Sequence, residues 1–206
     1  MQVLLVNGSP HARGCTYTAL SEVALELEKL GIGSSIFQLG NQPVAGCIAC
    51  GACRKTGRCF RSDKVNEALE MVPDYDGFVF GSPVYYASAS GQLESFLDRL
   101  FFCGSRLFAN KPGAAVVSCR RGGASAAFEQ INKYFGMNNM PVVTSTYWNQ
   151  VHGNTPDEVR EDAEGMQTMR HLARNMAWMM RCFAAGKAAG VPLPEMEPII
   201  RTNFIR

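Results

Sequence analysis

Four cysteines lie within thirteen residues of this 206-residue chain, and their spacing is typical of a set of metal ligands. Two, two and five residues separate Cys47, Cys50, Cys53 and Cys59. Zinc sites usually place two cysteine pairs well apart, so that four ligands reach a tetrahedron. A compact run at three-residue intervals suits an iron–sulfur cubane better. The spacing predicts a 4Fe-4S cluster, and a zinc ion or a set of unoccupied thiols are the alternatives.

The composition of the whole chain narrows the classes of protein that could hold such a site. Of its residues, 47% are hydrophobic and 18% are charged, which is too apolar for a disordered protein. The formal net charge of +2 argues against a nucleic-acid partner. No apolar run reaches the ~18–20 residues of a membrane span, and the N-terminus lacks the basic start of a signal peptide. We therefore expect a cytoplasmic protein with no membrane partner and no disulfide framework.

Short apolar runs alternate with amphipathic helical patterns along the chain. Continuous apolar runs are typical of strands that are covered on both faces, and five of them predict strands at 2–6, 35–39, 77–81, 113–118 and 141–146. Strands that alternate with helices form a parallel sheet, because parallel neighbours need crossover connections. The pattern predicts an α/β fold, a three-layer sandwich with a five-stranded parallel sheet.

Three further segments complete the predicted organisation. The Cys-rich loop at 46–60 is inserted after the second strand, within a domain that spans 1–190. A long helix from about 156 to 185 closes the domain. Three prolines near the end of the chain predict an extended C-terminal tail over 191–206.

Three loops follow the carboxyl ends of predicted strands, where ligands bind in sheets of this kind. The first, residues 8–17, leads into a helix, and the amides at a helix start favour an anion such as phosphate. Ser9, Thr16 and Tyr17 add hydroxyls, and Arg13 adds a cation. The loop lacks the ending of a Walker loop and the start of a dinucleotide fingerprint. It predicts a phosphate site of another kind, with an ordinary strand-to-helix turn as the alternative.

The second and third loops offer surfaces for a planar ring. Residues 82–86 place Tyr85 and Tyr86 after a stiff proline, although such aromatics also serve as packing residues. Residues 118–123 end in two glycines, which let the backbone approach a ligand closely. Trp148 leaves the fifth predicted strand, either as a cover for the ring or as part of an aromatic hinge. Together the loops predict one ligand with a phosphate at one end and a planar ring at the other.

The order and spacing of these motifs resemble a known superfamily over about residues 1–185. The resemblance is carried by Gly8-Ser9-Pro10 with Thr16, by Gly81-Ser82-Pro83-Val84-Tyr85-Tyr86, and by Gly91-Gln92-Leu93 with Phe96-Leu97-Asp98-Arg99. These motifs are similar to those of the flavodoxin-like NAD(P)H-dependent FMN reductases, and the four-cysteine run resembles that of the iron–sulfur flavoproteins among them. The chain departs from the family's loop pattern at His11, where arginine is common, and at Cys15, where asparagine is common.

The resemblance implies a bound FMN and a set of residues for each of its parts. Five residues of the first loop would hold the phosphate: Ser9, Arg13, Cys15, Thr16 and Tyr17. Four residues would line the isoalloxazine: Pro83, Val84, Tyr85 and Tyr86. The pyrimidine edge of the ring would contact Ser118, Arg121, Gly122 and Gly123. The four clustered cysteines would hold the iron–sulfur cluster.

The resemblance also implies a function in which the flavin, and no catalytic side chain, carries the chemistry. We expect an oxidoreductase that passes electrons from NAD(P)H or reduced ferredoxin to a small acceptor, such as a quinone, an oxygen species or free flavin. One alternative is an electron carrier between protein partners that does not use nicotinamide. Another is a zinc-stabilised binding module without flavin. A homodimer or homotetramer is the default assembly.

Overall fold

A parallel sheet forms the middle layer of the computed structural model, which describes residues 1–202. The strands are β1 (Gln2–Asn7), β2 (Gly33–Gln38), β3 (Gly77–Tyr85), β4 (Ser88–Ala89), β5 (Gly113–Cys119) and β6 (Gln150–His152). Five of them run parallel in the order β2-β1-β3-β5-β6, and β4 pairs with the end of β3 in the antiparallel direction. The predicted five-stranded parallel sheet is therefore confirmed, and β4 is an addition to it.

Helices cover both faces of the sheet. They are α1 (Cys15–Lys29), α2 (Cys53–Thr56), α3 (Lys64–Met71), α4 (Gly91–Phe108), α5 (Ala124–Met137), α6 (Pro156–Glu161) and α7 (Ala163–Ala188). On one face α1 packs with α7, and on the other face α3, α4 and α5 pack together. Among the described residues, no helix combines the length and the apolar character that crossing a membrane requires. The layers form the predicted three-layer sandwich.

The continuous apolar run in β1 faces two cores at once. Val3 and Leu5 belong to the core under α1 and α7, whereas Leu4 and Val6 belong to the core under α3 and α4. All four side chains are buried. Because successive side chains of a strand point to opposite faces, a strand between two helical layers needs apolar residues throughout.

The fifth parallel strand lies later in the chain than its predicted position at 141–146. In that segment, all of which the structure describes, Val142 makes an isolated bridge with Gly113. The strand is β6 instead, and it begins where the amide of Val117 donates to the carbonyl of Asn149 at 3.0 Å. The prediction was wrong because a buried asparagine, rather than an apolar run, leads the chain into this edge of the sheet.

The long C-terminal helix is two helices, α6 and α7, separated by Asp162. One carboxylate oxygen of Asp162 accepts from the amide of Gly165 at 3.0 Å, and the other accepts from the amide of His152 at 2.7 Å. Asp162 thus caps α7 and ties it to β6. The prediction of one continuous helix over 156–185 was wrong at this residue.

The predicted tail over 191–206 lies partly within the described residues. Residues 191–202 are exposed and contain no helix or strand. The rest of the tail, including Phe204 and Arg206, lies outside the described residues. The division into a domain over 1–190 and a tail stays a prediction.

The packing of α1 on α7 includes a buried carboxylate whose charge we expect to stabilise the fold. Glu26 accepts hydrogen bonds from Arg174 at 2.7 Å and from Lys29 at 3.1 Å. Burial disfavours its charge, but the two cations outweigh burial and hold the pKa of Glu26 below its ordinary value of 4.5. Glu26→Gln should therefore lower the free energy of unfolding by about 1.5 kcal/mol at neutral pH.

This loss of stability should become smaller in acid. A carboxylate with a lowered pKa stabilises the fold above its unfolded-state pKa, and that contribution is lost as the pH falls through its folded-state pKa. Urea unfolding of both proteins at neutral pH and at about pH 3 measures the difference. Glu28→Gln, at an exposed position of α1, is the control. An equal loss of stability at both pH values would show that the charge of Glu26 is not its cause.

Candidate functional site

The first loop is held against β3 at the carboxyl edge of the sheet. The amide of Gly8 donates to the carbonyl of Gly81 at 2.8 Å, and the Ser90 hydroxyl donates to the carbonyl of Gly8 at 2.9 Å. A Cβ on Gly8 would lie 2.8 Å from the Gly81 oxygen and 2.9 Å from the Cβ of Leu93, so a larger residue does not fit. These contacts therefore fix the position of the start of the first loop beside β3.

Two of the predicted phosphate ligands are buried in this part of the fold. The hydroxyl of Ser9 accepts from the amide of His11 at 3.2 Å. The hydroxyl of Thr16 lies 2.8 Å from the hydroxyl of Ser118 in the third loop. The N-cap of α1 is Gly14, which has no side chain to occupy the first amides of the helix. The hydrogen bond between Thr16 and Ser118 joins the first loop to the third.

The other three predicted phosphate ligands are more accessible. Arg13 is exposed, and Cys15 and Tyr17 are half-buried. The Cys15 thiol donates to the carbonyl of Gly153 at 3.8 Å. Burial raises the pKa of this thiol above its ordinary value, and the charge of Glu158 adds to the effect. Cys15 is therefore a neutral thiol at neutral pH and brings no negative charge to an anion site.

The second predicted loop is the end of β3 and a strained hairpin. Pro83, Val84 and Tyr85 lie in the strand, which turns back into β4 through Tyr86 and Ala87. Tyr86 has a φ of 51° and Ala87 a φ of 61°, in the left-handed region that favours glycine. Such a backbone costs about 1–3 kcal/mol per residue. The rings of Tyr85 and Tyr86 are both exposed at the outer end of this hairpin.

The third loop contacts the hairpin through a glycine. Gly123 has a φ of +91°, and a Cβ on it would lie 2.6 Å from the Cα of Ala87 and 3.2 Å from the side chain of Val84. Arg121 and Gly122 are exposed beside it. The structure therefore brings the three predicted loops together at one edge of the sheet.

Trp148 lies on the segment that leads into β6. Its ring packs edge-to-face on Tyr147, with the centroids 4.7 Å apart, and both rings are exposed. The amide of Gly153 donates to the carbonyl of Cys119 at 3.3 Å, which brings the residue after β6 beside the third loop. The role of Trp148 as a cover for a planar ring stays a prediction.

All four cysteines of the predicted cluster line one open cavity beside α4. Cys47 and Cys50 are exposed, and Cys53 and Cys59 are half-buried. Cys103 on α4 adds a fifth thiol to the wall. In the part of the chain that the structure describes, no three Cys, His, Asp or Glu residues are grouped in a way that could hold a metal ion. The fold thus brings the thiols to one cavity without setting them in ligand geometry.

Cys59 is held through both its backbone and its sulfur. Its amide donates to the side-chain oxygen of Asn66 at 2.9 Å, and the side-chain nitrogen of Asn66 donates to its carbonyl at 2.9 Å. Arg99 donates to the Cys59 sulfur from Nε at 3.3 Å and from Nη2 at 3.1 Å. Asp63 accepts two further hydrogen bonds from the same guanidinium. Burial opposes the charge of Arg99, but Asp63 and Cys59 outweigh it and raise the pKa of Arg99.

The sequence pattern did not indicate Arg99 as a site residue, although the family motif includes it. An arginine on a helix is expected to be exposed, whereas this side chain is 1% exposed. Its position in the sequence could have indicated that it is buried. Arg99 lies three residues after Phe96 and directly before Leu100, within the apolar stripe of α4.

The chemistry of this cavity fits an iron–sulfur cluster. Cysteine sulfurs are the usual ligands of such clusters, and hydrogen bonds to the sulfurs tune their potentials. The amide of Ala49 donates to the sulfur of Cys47 at 3.4 Å, and Arg99 supplies two more donors. Burial and the neighbouring Cys53 raise the pKa of Cys103 to about 12, so this thiol stays neutral. The cavity therefore offers four cysteine sulfurs, and N–H donors reach two of them, those of Cys47 and Cys59.

Comparison with known proteins identifies the family. The sequence profile of the NADPH-dependent FMN reductases matches residues 1–155. This chain belongs to that family. Membership in the FMN reductase family makes it an FMN-dependent oxidoreductase, and the three loops at the carboxyl edge are the candidate flavin site. This membership argues against the alternative of a zinc-stabilised binding module without flavin.

Two relatives and one solved structure agree with the iron–sulfur flavoprotein type and with the fold. An iron–sulfur flavoprotein of Methanocaldococcus jannaschii is 31% identical over 190 residues, which cover 88% of this chain and 98% of the relative. An iron–sulfur flavoprotein of Methanosarcina thermophila is 32% identical over 181 residues, with coverage of 85% and 93%. A flavodoxin from the domain Archaea has a TM-score of 0.61 at 14% identity, covering 88% of this chain and 99% of the flavodoxin. The flavodoxin-like fold and the predicted family type are confirmed.

Proposed function

We propose that this FMN reductase takes electrons from NAD(P)H or reduced ferredoxin and passes them to a small acceptor, such as a quinone, an oxygen species or free flavin. A 4Fe-4S cluster in the cysteine cavity is the proposed one-electron relay. The observation that carries the proposal is the meeting of three loops at one edge of the sheet. The hydrogen bond from Gly8 to Gly81 holds the first loop beside β3, and the hydrogen bond between Thr16 and Ser118 joins it to the third loop. Gly123 of the third loop lies against the hairpin at Ala87.

The first loop is suited to the phosphate of FMN. The amides at the start of α1 and the helix dipole favour a dianion there. The hydroxyls of Ser9, Thr16 and Tyr17 are neutral donors, and Arg13 is an exposed cation. Because burial raises the pKa of the Cys15 thiol, this residue carries no negative charge that would repel an anion.

The β3–β4 hairpin and the third loop are suited to the isoalloxazine ring. The residues proposed to line the ring are Pro83, Val84, Tyr85 and Tyr86. Those proposed for its pyrimidine edge are Ser118, Arg121, Gly122 and Gly123, and Trp148 is the proposed cover. When bound, FMN accepts a hydride as two electrons and releases them singly. The part of the protein is to hold the phosphate and the ring in fixed positions.

Cys47, Cys50, Cys53 and Cys59 are the proposed cluster ligands. Their convergence on one cavity supports the proposal, as do the N–H donors from Arg99 to the sulfur of Cys59. Both curated relatives are named iron–sulfur flavoproteins. A bound cluster supplies single-electron exchange, which matches the stepwise release of electrons from a flavin.

Assembly and location complete the proposal. We expect a homodimer or homotetramer, because symmetric homo-oligomers are the commonest assemblies of soluble proteins. We propose the cytoplasm as its location. Exposed apolar residues after α7, among them Val191 and Leu193, form surface that a second subunit could cover.

An absorption spectrum of protein purified without oxygen tests the proposed function. We expect flavin bands with a broad brown shoulder, and rapid bleaching of the flavin bands when NADPH or NADH is added. Reduction by a protein donor alone, with no turnover of a small acceptor, would favour an electron carrier between protein partners. A colourless protein with one zinc per chain would overturn both functions.

A further inference from the structure

Arg99 uses every N–H of its guanidinium, although its side chain is only 1% exposed. Nη1 donates to the carbonyl of Ala45 at 3.2 Å and to Asp63 at 2.6 Å. Nη2 donates to Asp63 at 2.9 Å and to the sulfur of Cys59 at 3.1 Å, and Nε donates to the same sulfur at 3.3 Å. A guanidinium has five N–H donors, so two of the five are directed at one sulfur.

The orientation of this guanidinium is fixed by α3. The Asp63 carboxylate that accepts from Arg99 is also the N-cap of α3, where it accepts from the amide of Val65 at 3.2 Å. A paired, bidentate carboxylate holds a guanidinium in one plane. The Nε edge of Arg99 therefore faces Cys59, whose backbone is held by Asn66 on the same helix.

A protonated cysteine is a poor partner for two donors of a buried cation. Its sulfur is a weak acceptor, whereas hydrogen bonds to an ionised acceptor are roughly twice as strong as neutral ones. The sulfur of Cys59 would carry negative charge as an iron ligand. The arrangement of Asp63, Arg99 and Cys59 is thus suited to the metal-bound state of the cysteine.

We propose that Arg99 is a positioning residue for the iron–sulfur cluster: it orients the sulfur of Cys59 in the cavity wall and raises the reduction potential of the cluster. This inference rests on the cluster of the proposed function. Reduction moves one electron from the reductant to the cluster and adds one negative charge to it. The two N–H donors of Arg99 stabilise the reduced, more negative cluster more than the oxidised one.

The test compares three variants with the wild-type protein after anaerobic reconstitution with iron and sulfide. Iron per chain and FMN per chain are measured, and the cluster is titrated with dithionite while its reduced form is followed by electron paramagnetic resonance. Arg99→Lys keeps a cation for Asp63 but loses the two guanidinium N–H donors that reach the sulfur of Cys59. We expect its cluster to be reduced at least tenfold less favourably, which is about 59 mV for one electron. Arg106→Lys, at an exposed position of α4, should leave the potential unchanged.

Asp63→Asn separates an electrostatic role from general damage to the fold. It removes the negative charge beside Arg99 and keeps an oxygen for the amide of Val65, so the cluster potential should rise. Opposite shifts in Arg99→Lys and Asp63→Asn support the inference, as does loss of iron with full FMN content in Arg99→Lys. Shifts in the same direction, or no shift in either variant, overturn it. If Arg99→Lys does not fold, an unchanged potential in Asp63→Asn overturns it alone. Failure of the wild-type protein to bind iron overturns the proposed cluster itself.

Discussion

Cys50→Ala should abolish iron binding and leave the FMN content of the protein unchanged. Cys50 is exposed in the cysteine cavity, which is lined by residues of the 46–61 segment and of α4. None of the residues proposed for FMN lines that cavity. A 4Fe-4S cluster needs four protein ligands, and a methyl group cannot replace a thiolate. Iron and FMN, each measured per chain after anaerobic purification, report the two effects separately.

The matched control for this experiment is Cys182→Ala, which removes another exposed thiol. Cys182 lies on α7, and that helix packs on the opposite face of the sheet from α4. Its loss should change neither iron nor FMN. If Cys50→Ala lost both cofactors, the cysteine segment would be part of the fold rather than a separate site. Retention of iron would mean that another residue serves as the fourth ligand.

Gly123→Ala should weaken FMN binding at least tenfold and lower the free energy of unfolding by about 2–4 kcal/mol. The added Cβ would lie 2.6 Å from the backbone of Ala87, so the β3–β4 hairpin must move away from the third loop. A left-handed backbone costs an alanine a further 1–2 kcal/mol or so. FMN titration followed by flavin fluorescence measures the affinity, and urea unfolding of the flavin-free protein measures the stability.

Gly136→Ala is the control for this glycine. Gly136 lies on α5, the helix that follows Gly123, and an added Cβ there meets nothing within 4 Å. Alanine is the better helix former, so its stability should be equal or slightly higher. Equal FMN affinity in Gly123→Ala and the wild-type protein would show that the contact between hairpin and third loop does not shape the flavin site.

Much of the fold could be predicted because a strand that is buried on both faces has apolar residues at every position. The run from Val3 to Val6 is apolar throughout for that reason. The errors arose where one polar side chain acts on a residue far away in the chain. The side-chain amide of Asn149 donates to the carbonyl of Ala115 just before the last strand, and Asp162 ends a helix while its carboxylate accepts from the amide of His152. A hydropathy pattern does not show which residues form such hydrogen bonds.

The candidate site could be predicted in part. The positions of the loops follow from the rule that ligands bind at the carboxyl ends of parallel strands. The hairpin at Tyr86 and Ala87 could not be predicted, because neither residue type favours a left-handed backbone. Arg99 was missed since its burial depends on Asp63 and Cys59, which approach it only in the folded chain.

The two candidate cofactor sites share no residue, and this separation has a consequence for how such proteins change in evolution. The cysteine cavity draws on residues 46–61 and on α4, whereas the flavin edge draws on loops that follow β1, β3 and β5. With the proposed cofactors at these sites, loss of one thiol would remove the metal and leave the flavin scaffold in place. Gain or loss of the cluster would then be a step separate from changes in the flavin site.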